Sequence, residues 1–247
     1  EPQEASARLQ QRGAAPLQGH VAALCERTEG WAAGLVLAGM SLADSTDADA
    51  FVAAFQGDDR LVADYLTDEF LAGISPEDRD RLVRTSILDR LSGPLIDAVC
   101  DTTEGAVWLR DIAAKNQLLI SLDRTGTWFR YHHLLGDLLR LDAENSSDPD
   151  VAQLHRRAGY WHRQHGSPHD AVEHYTRSGD HHQAADLIYD EATELLNRGQ
   201  LATLKRQIVR LGPVADQHAG TSIVNGFIAL FVRDITTAQH YLDQARD

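Results

Sequence analysis

An arginine and a histidine, two residues apart, are the strongest candidates for chemistry in this sequence. Arg130 and His132 stand in the run Trp128-Phe129-Arg130-Tyr131-His132-His133-Leu134-Leu135. Alternation along a strand puts residues 130 and 132 on one face. Leu134, Leu135, Leu138, Leu139 and Leu141 then fall at helical spacing, so His132 sits where a strand turns into a helix. The first turn of a helix offers free N–H groups and the positive end of the dipole, which suits an anion. Spacing alone leaves two readings open. Either the pair touches a phosphate, or His132 caps its helix while Arg130 faces solvent.

Other chemistry is thinner. Of twelve histidines, His155, His162, His165, His169 and His174 fall in one stretch. His155 and His162 share a helix face, but a histidine-only cluster is weak evidence for zinc. Surface or capping roles are expected for these five, and no metal site. His181-His182 beside Asp180 reads as a helix start. The carboxylates are scattered over polar helix faces. There is no Gly-x-x-x-x-Gly-Lys-Ser/Thr phosphate loop, no Gly-x-Ser-x-Gly elbow and no His-Glu-x-x-His pair. The chain is therefore not expected to be an enzyme by itself.

The elements that would position Arg130 and His132 are mostly helical. Leu118–Leu122 and Trp128–Tyr131 flank a turn containing Gly126, a β-hairpin signal. Upstream, Ala5–Gln11 reads as a helix tail. Leu17–Arg27 and Trp31–Leu42 read as helices around a Thr28-Glu29-Gly30 corner. Ser45–Asp49 reads as a loop before a short helix with Phe51, Val52 and Phe55. One amphipathic helix is predicted over Asp58–Ala72, with Val62, Leu66 and Phe70 inward. Ser75-Pro76-Glu77-Asp78 opens the next helix and Pro94 another. Thr103–Gln117 follows, with Val107, Trp108 and Ile112 inward. A single hairpin that closes a set of helices and runs at once into another helix predicts a winged helix.

Asp142–Pro149 reads as a linker, after which only helices are predicted. One starts at Asp148-Pro149, and Ser167-Pro168 repeats the capping pattern of Ser75. Ile223, Phe227 and Leu230 mark a later helix. Gly166, Gly179, Gly199 and Gly212 punctuate short helices, as in a helical solenoid.

Bulk properties narrow the function. The 247 residues suffice for two domains, with 43% hydrophobic residues for their cores and a net charge of −14. That charge argues against nucleic acid and anionic membrane as partners. In the segment 103–117, Glu104, Arg110, Asp111 and Lys115 cancel, so no basic DNA-reading face is expected there. Cys25 and Cys100 lie in helical patterns and read as free, buried thiols in a reducing, cytoplasmic compartment. No signal peptide or membrane span is visible. The chain begins at Glu1 and its last hairpin looks incomplete, so it is expected to be a piece of a longer polypeptide.

Four stretches together resemble one family. They are Thr28-Glu29-Gly30-Trp31-Ala32-Ala33-Gly34-Leu35, Val62-Ala63-Asp64-Tyr65-Leu66, Leu82–Arg90 and Trp128–Leu135, in that order. The sequence is similar to the MalT-like signal-transducing (STAND) ATPases, the large LuxR-type transcriptional regulators of bacteria, across about Leu17–Asp190.

The resemblance implies a mainly α fold: a helical lid at 1–57, a winged-helix domain with one β-hairpin at 58–142, and a tetratricopeptide-like (TPR-like) α-solenoid at 148–247. Gly30 and Trp31 match the lid motif that packs near the nucleotide. His132 matches the winged-helix histidine that approaches the phosphates of bound ADP, and Arg130 the arginine beside it. ATP or ADP would belong to the full-length parent, with no tight binding by this chain alone. The implied partners are an upstream nucleotide-binding domain of the same polypeptide, an inducer or protein on the superhelix, and a second copy through self-association. The implied role is the regulatory middle of an inducer-responsive regulator. The rivals are a sensor arm of a kinase or cyclase, a scaffold without a nucleotide role, and a DNA-binding winged helix.

Overall fold

The computed structural model describes residues 18–246 apart from 44, 46, 58, 116–117 and 147–149, with side chains from residue 20 onward. The expected helix tail at Ala5–Gln11 lies outside the described residues, as do most of the tip of the 142–149 linker and the end of the 103–117 helix. The described residues are mainly helical with one two-stranded hairpin. Contacts divide the chain into two compact units, Glu1–Ile96 with Thr103–Pro149, and Asp97–Thr102 with Asp150–Asp247. No helix among the described residues is long and apolar enough to cross a membrane.

The first unit begins with helix α1 (Gln18–Arg27) and helix α2 (Ala32–Ala43). Between them the Thr28 hydroxyl donates back to the Leu24 carbonyl at 2.8 Å and ends α1. Glu29 (φ +48°) and Gly30 (φ +76°) are both left-handed, which turns the chain into α2. Asp47 caps α3 (Ala48–Ala54) by accepting from the Ala50 amide, so the expected loop stops two residues early.

The single helix predicted over 58–72 is not what forms. Helix α4 (Arg60–Tyr65) passes into a π-turn at Leu66–Phe70 and a 3-10 turn at Leu71–Gly73. Val62, Leu66 and Leu71 are all buried, a spacing of four and then five residues. A regular helix would rotate the fifth residue off that face, and the wider turn brings it back. Leu71 thereby takes the core position that the sequence pattern assigns to Phe70.

Ser75 caps α5 (Pro76–Thr85) as expected, accepting from the Asp78 amide at 3.1 Å. Helix α6 (Gly93–Cys100) precedes α7 (Gly105–Lys115), which buries Trp108, Leu109 and Ile112. Val107, expected inside, is 54% exposed, because positions 108, 109 and 112 form the inward stripe.

Strands β1 (Leu119–Ser121) and β2 (Phe129–Tyr131) pair antiparallel, Ile120 opposite Arg130. Asp123 holds the turn by accepting from the Thr127 and Trp128 amides. Phe129 also exchanges both backbone hydrogen bonds with Leu91, so β2 is paired on its other edge too. Helix α8 (His133–Asn145) follows without a gap and buries Leu134, Leu135, Leu138 and Leu139. Leu141 is 38% exposed, and the stretch 142–145, expected as linker, is the last turn of α8.

The second unit holds α9 (Val151–Gln164), α10 (Pro168–Arg177), α11 (His181–Asn197), α12 (Leu201–Arg210), the short α13 (Val214–Gln217), α14 (Ala219–Phe231) and α15 (Ile235–Gln244). Successive helices from α9 to α12 pack on one another, as do α14 and α15. Ala171, Val172, Ala184, Ile188, Leu204 and Ile208 lie in the shared core. Asp150 caps α9, while Ser167 makes no capping bond at α10. On α14 the buried stripe is Val224 and Ile228, while Phe227 and Leu230, whose spacing marks this helix, are 56% and 43% exposed. Neither cysteine forms a disulfide, and both are half-buried rather than buried.

Candidate functional site

The structure places all four expected site residues at one point of the first unit, where the α1–α2 corner meets the β2–α8 junction. His132 is 3% exposed. Its Nε2 lies 2.9 Å from the Thr28 carbonyl, and the Leu134 amide donates to its Nδ1 at 3.3 Å. A carbonyl only accepts, so Nε2 carries the proton and the ring is neutral. Burial pushes the imidazole pKa down, against the pull of the Thr28 hydrogen bond. His132 therefore caps α8 and fastens it to the end of α1, with both nitrogens engaged.

Arg130 is not solvent-exposed in the way the simpler reading expects. Its guanidinium makes two hydrogen bonds to Glu29, at 3.0 and 2.8 Å, and the side chain is 34% exposed. His133 donates from Nδ1 to the same carboxylate at 3.0 Å. Partial burial raises the Glu29 pKa, but the hydrogen bonds from Arg130 and His133 outweigh it and hold the carboxyl below its ordinary value. Glu29 and Gly30, both left-handed, make the turn that aims the carboxylate at these two donors. The Trp31 ring stands edge-on to His132 at 5.9 Å and to Tyr65 at 5.6 Å, seated over Gly34.

His133 also lines an open cleft of about 890 Å³ with His20, Glu26, Arg27 and Asp49. Glu29, His132 and His133 are the one trio among the described residues whose potential ligand atoms all lie within 4.8 Å of one another. A divalent cation there would have to take a His132 nitrogen that is already hydrogen-bonded and would sit beside the Arg130 guanidinium. An oxyanion need only replace the Glu29 carboxylate, so the donor set favours an anion.

Glu29 and His133 were not singled out by sequence reasoning. The adjacent pair His132-His133 was the one available signal for His133. Nothing local marks Glu29, whose partners lie 101 and 104 residues away.

The histidines of the second unit differ from expectation. His155, His162 and His174 are buried, not surface groups. The Nδ1 atoms of His155 and His174 are 2.8 Å apart, one donating to the other, and His162 stacks on His174. Desolvation, then the neighbouring His155, His162 and Arg177, lowers the His174 pKa to about 3.

Residues 67–151 match the MalT winged helix domain. The segment is MalT-like. It is 28% identical over 190 residues to the HTH-type transcriptional regulator MalT of Klebsiella pneumoniae, a match covering 76% of this chain and 21% of that protein. It is 32% identical over 209 residues to the serine/threonine-protein kinase PknK of Mycobacterium tuberculosis, covering 84% of this chain and 19% of the kinase. The MalT-like chain thus spans about a fifth of the length of these relatives. Its fold is also similar to a signal transduction ATPase with numerous domains (STAND) protein with a tetratricopeptide repeat sensor from Pyrococcus horikoshii. There the TM-score is 0.57 at 15% identity, over 99% of this chain and 35% of that one.

Proposed function

We propose that this segment is the regulatory middle of an ATP-dependent, inducer-responsive LuxR-type transcriptional regulator. The observation that carries the proposal is the contact made with the α1–α2 corner by His132, which lies within the residues matching the MalT winged helix domain. In this reading the corner is the lid of an upstream nucleotide-binding domain in the same cytoplasmic polypeptide. Arg130, His132 and His133 are the residues that would face a nucleotide phosphate. Their present partners, a carboxylate and a carbonyl, are acceptors of the kind a phosphate oxygen would replace.

When bound, the nucleotide supplies the free energy difference between resting and active states. The residues of this segment hold the winged helix against the lid in the resting state. An inducer or protein on the helices of the second unit shifts the population only if it prefers the released form, which then self-associates. The segment itself is read as non-catalytic, without direct DNA contact. The match to PknK favours a second reading, a sensor arm beside a protein kinase domain.

The test is His132→Ala in the full-length polypeptide. ADP affinity is expected to fall and activity to lose its dependence on inducer. Unchanged values of both would sink the proposal. The domains flanking this segment in that polypeptide distinguish the regulator from the kinase arm.

A further inference from the structure

Glu29 occupies the centre of this cluster of donors and is left unexplained by the nucleotide reading. Its two carboxylate oxygens take both Arg130 nitrogens, and one of them also takes His133 Nδ1. Those are the exposed donors of the junction; the buried His132 would reach a phosphate only by exchanging the Thr28 carbonyl for it. A phosphoryl group and a carboxylate present the same acceptor geometry to a guanidinium. We infer that Glu29 is a built-in stand-in for a phosphoryl oxyanion: it holds Arg130 and His133 when no phosphate is present and must swing away for one to bind. The inference rests on the proposed nucleotide reading and concerns the regulation of that same site.

The geometry suits an exchangeable latch rather than a permanent bond. The side chains of Glu29, Arg130 and His133 are 25%, 34% and 34% exposed, so water screens the ion pair and reaches it. Glu29 sits on a left-handed corner beside Gly30, where a Cβ would meet nothing within 4 Å, so no neighbouring group packs against that side of the corner. Arg130 keeps a hydrogen bond to the Tyr131 carbonyl at 3.2 Å, which holds its guanidinium at the junction when Glu29 leaves. A carboxylate in this place also carries a sign. Its charge repels an incoming phosphate until it turns away, so it raises the phosphate concentration at which the site fills.

The experiment uses the 247-residue chain, with inorganic phosphate, pyrophosphate and ADP titrated separately. Binding is read from histidine ring-proton shifts in NMR, the His133 signal being assigned with His133→Gln. Wild type is compared with Glu29→Gln and with the double variant Glu29→Gln, Arg130→Ala, each checked for native helicity by circular dichroism. Glu29→Gln is expected to bind pyrophosphate at least about tenfold tighter than wild type, the size of one charge-assisted hydrogen bond. The double variant is expected to lose that gain. Repeated on the full-length polypeptide, tighter binding of ADP than of pyrophosphate identifies a nucleotide as the source of the phosphoryl group, and equal binding there identifies free phosphate. Equal affinity of wild type and Glu29→Gln overturns the inference. So does a gain that survives Arg130→Ala, because the effect would then be one of net charge. If Glu29→Gln gains nothing while His132→Ala weakens ADP binding in the full-length polypeptide, the latch fails and the nucleotide reading stands.

Discussion

His132 donates its Nε2 proton to the carbonyl of Thr28, 104 residues earlier in the chain, across 2.9 Å of buried contact. The same ring accepts from the Leu134 amide, so one neutral imidazole both starts α8 and ties it to the end of α1. His132→Ala should therefore cost about 1–3 kcal/mol in urea unfolding of the chain, from a lost cap and an unpaired buried carbonyl. Trp31 fluorescence should change with it, since the indole stands against the missing ring. An unchanged midpoint and spectrum would mean that the contact contributes nothing to holding the corner.

The approach of the α3–α4 connection to α8 depends on Gly57. A Cβ placed there would lie 1.9 Å from the Leu134 carbonyl oxygen, and backbone at a helix start cannot give way as a side chain can. Gly57→Ala should destabilise the chain by about 2–3 kcal/mol. Amides around His132 and Leu134 should lose hydrogen-exchange protection first, because the connection must lift off them.

Gly30 makes a different demand. Nothing lies within 4 Å of a Cβ there, yet φ is +76°. Gly30→Ala should cost only the left-handed strain, about 1–2 kcal/mol. It should cost less than Gly57→Ala when both are measured in the same denaturant series. The reverse ranking would show that the corner is held by contacts rather than by backbone conformation.

Acid should act on the second unit through His174. Its pKa is about 3 in the fold and near 6.5 when unfolded, so between those values the unfolded chain binds the extra proton. Stability is then full above pH 6.5 and falls as pH drops, by on the order of 2 kcal/mol between pH 6.5 and 5. Hydrogen exchange of α9 and α10 amides across that range should report it. His174→Phe should flatten the dependence, and an identical slope in both proteins would remove His174 as its source.

Much of this was legible along the chain. Hairpin, capped helices and the strand-to-helix position of His132 follow from local pattern: alternation, turn residues, apolar spacing and Ser75 or Asp-type caps. The order of four short motifs pointed to the MalT-like resemblance, which the match over residues 67–151 supports. Where the pattern misled, longer-range packing had overridden it. The π-turn brought Leu71 rather than Phe70 into the core, and packing of α9 on α10 buried three histidines whose polar side chains read as surface. The tertiary structure alone decided the identity of the Arg130 partner. A bidentate ion pair between residues 29 and 130 leaves no periodicity in either segment, because it depends on two distant corners being folded to within 3 Å of each other.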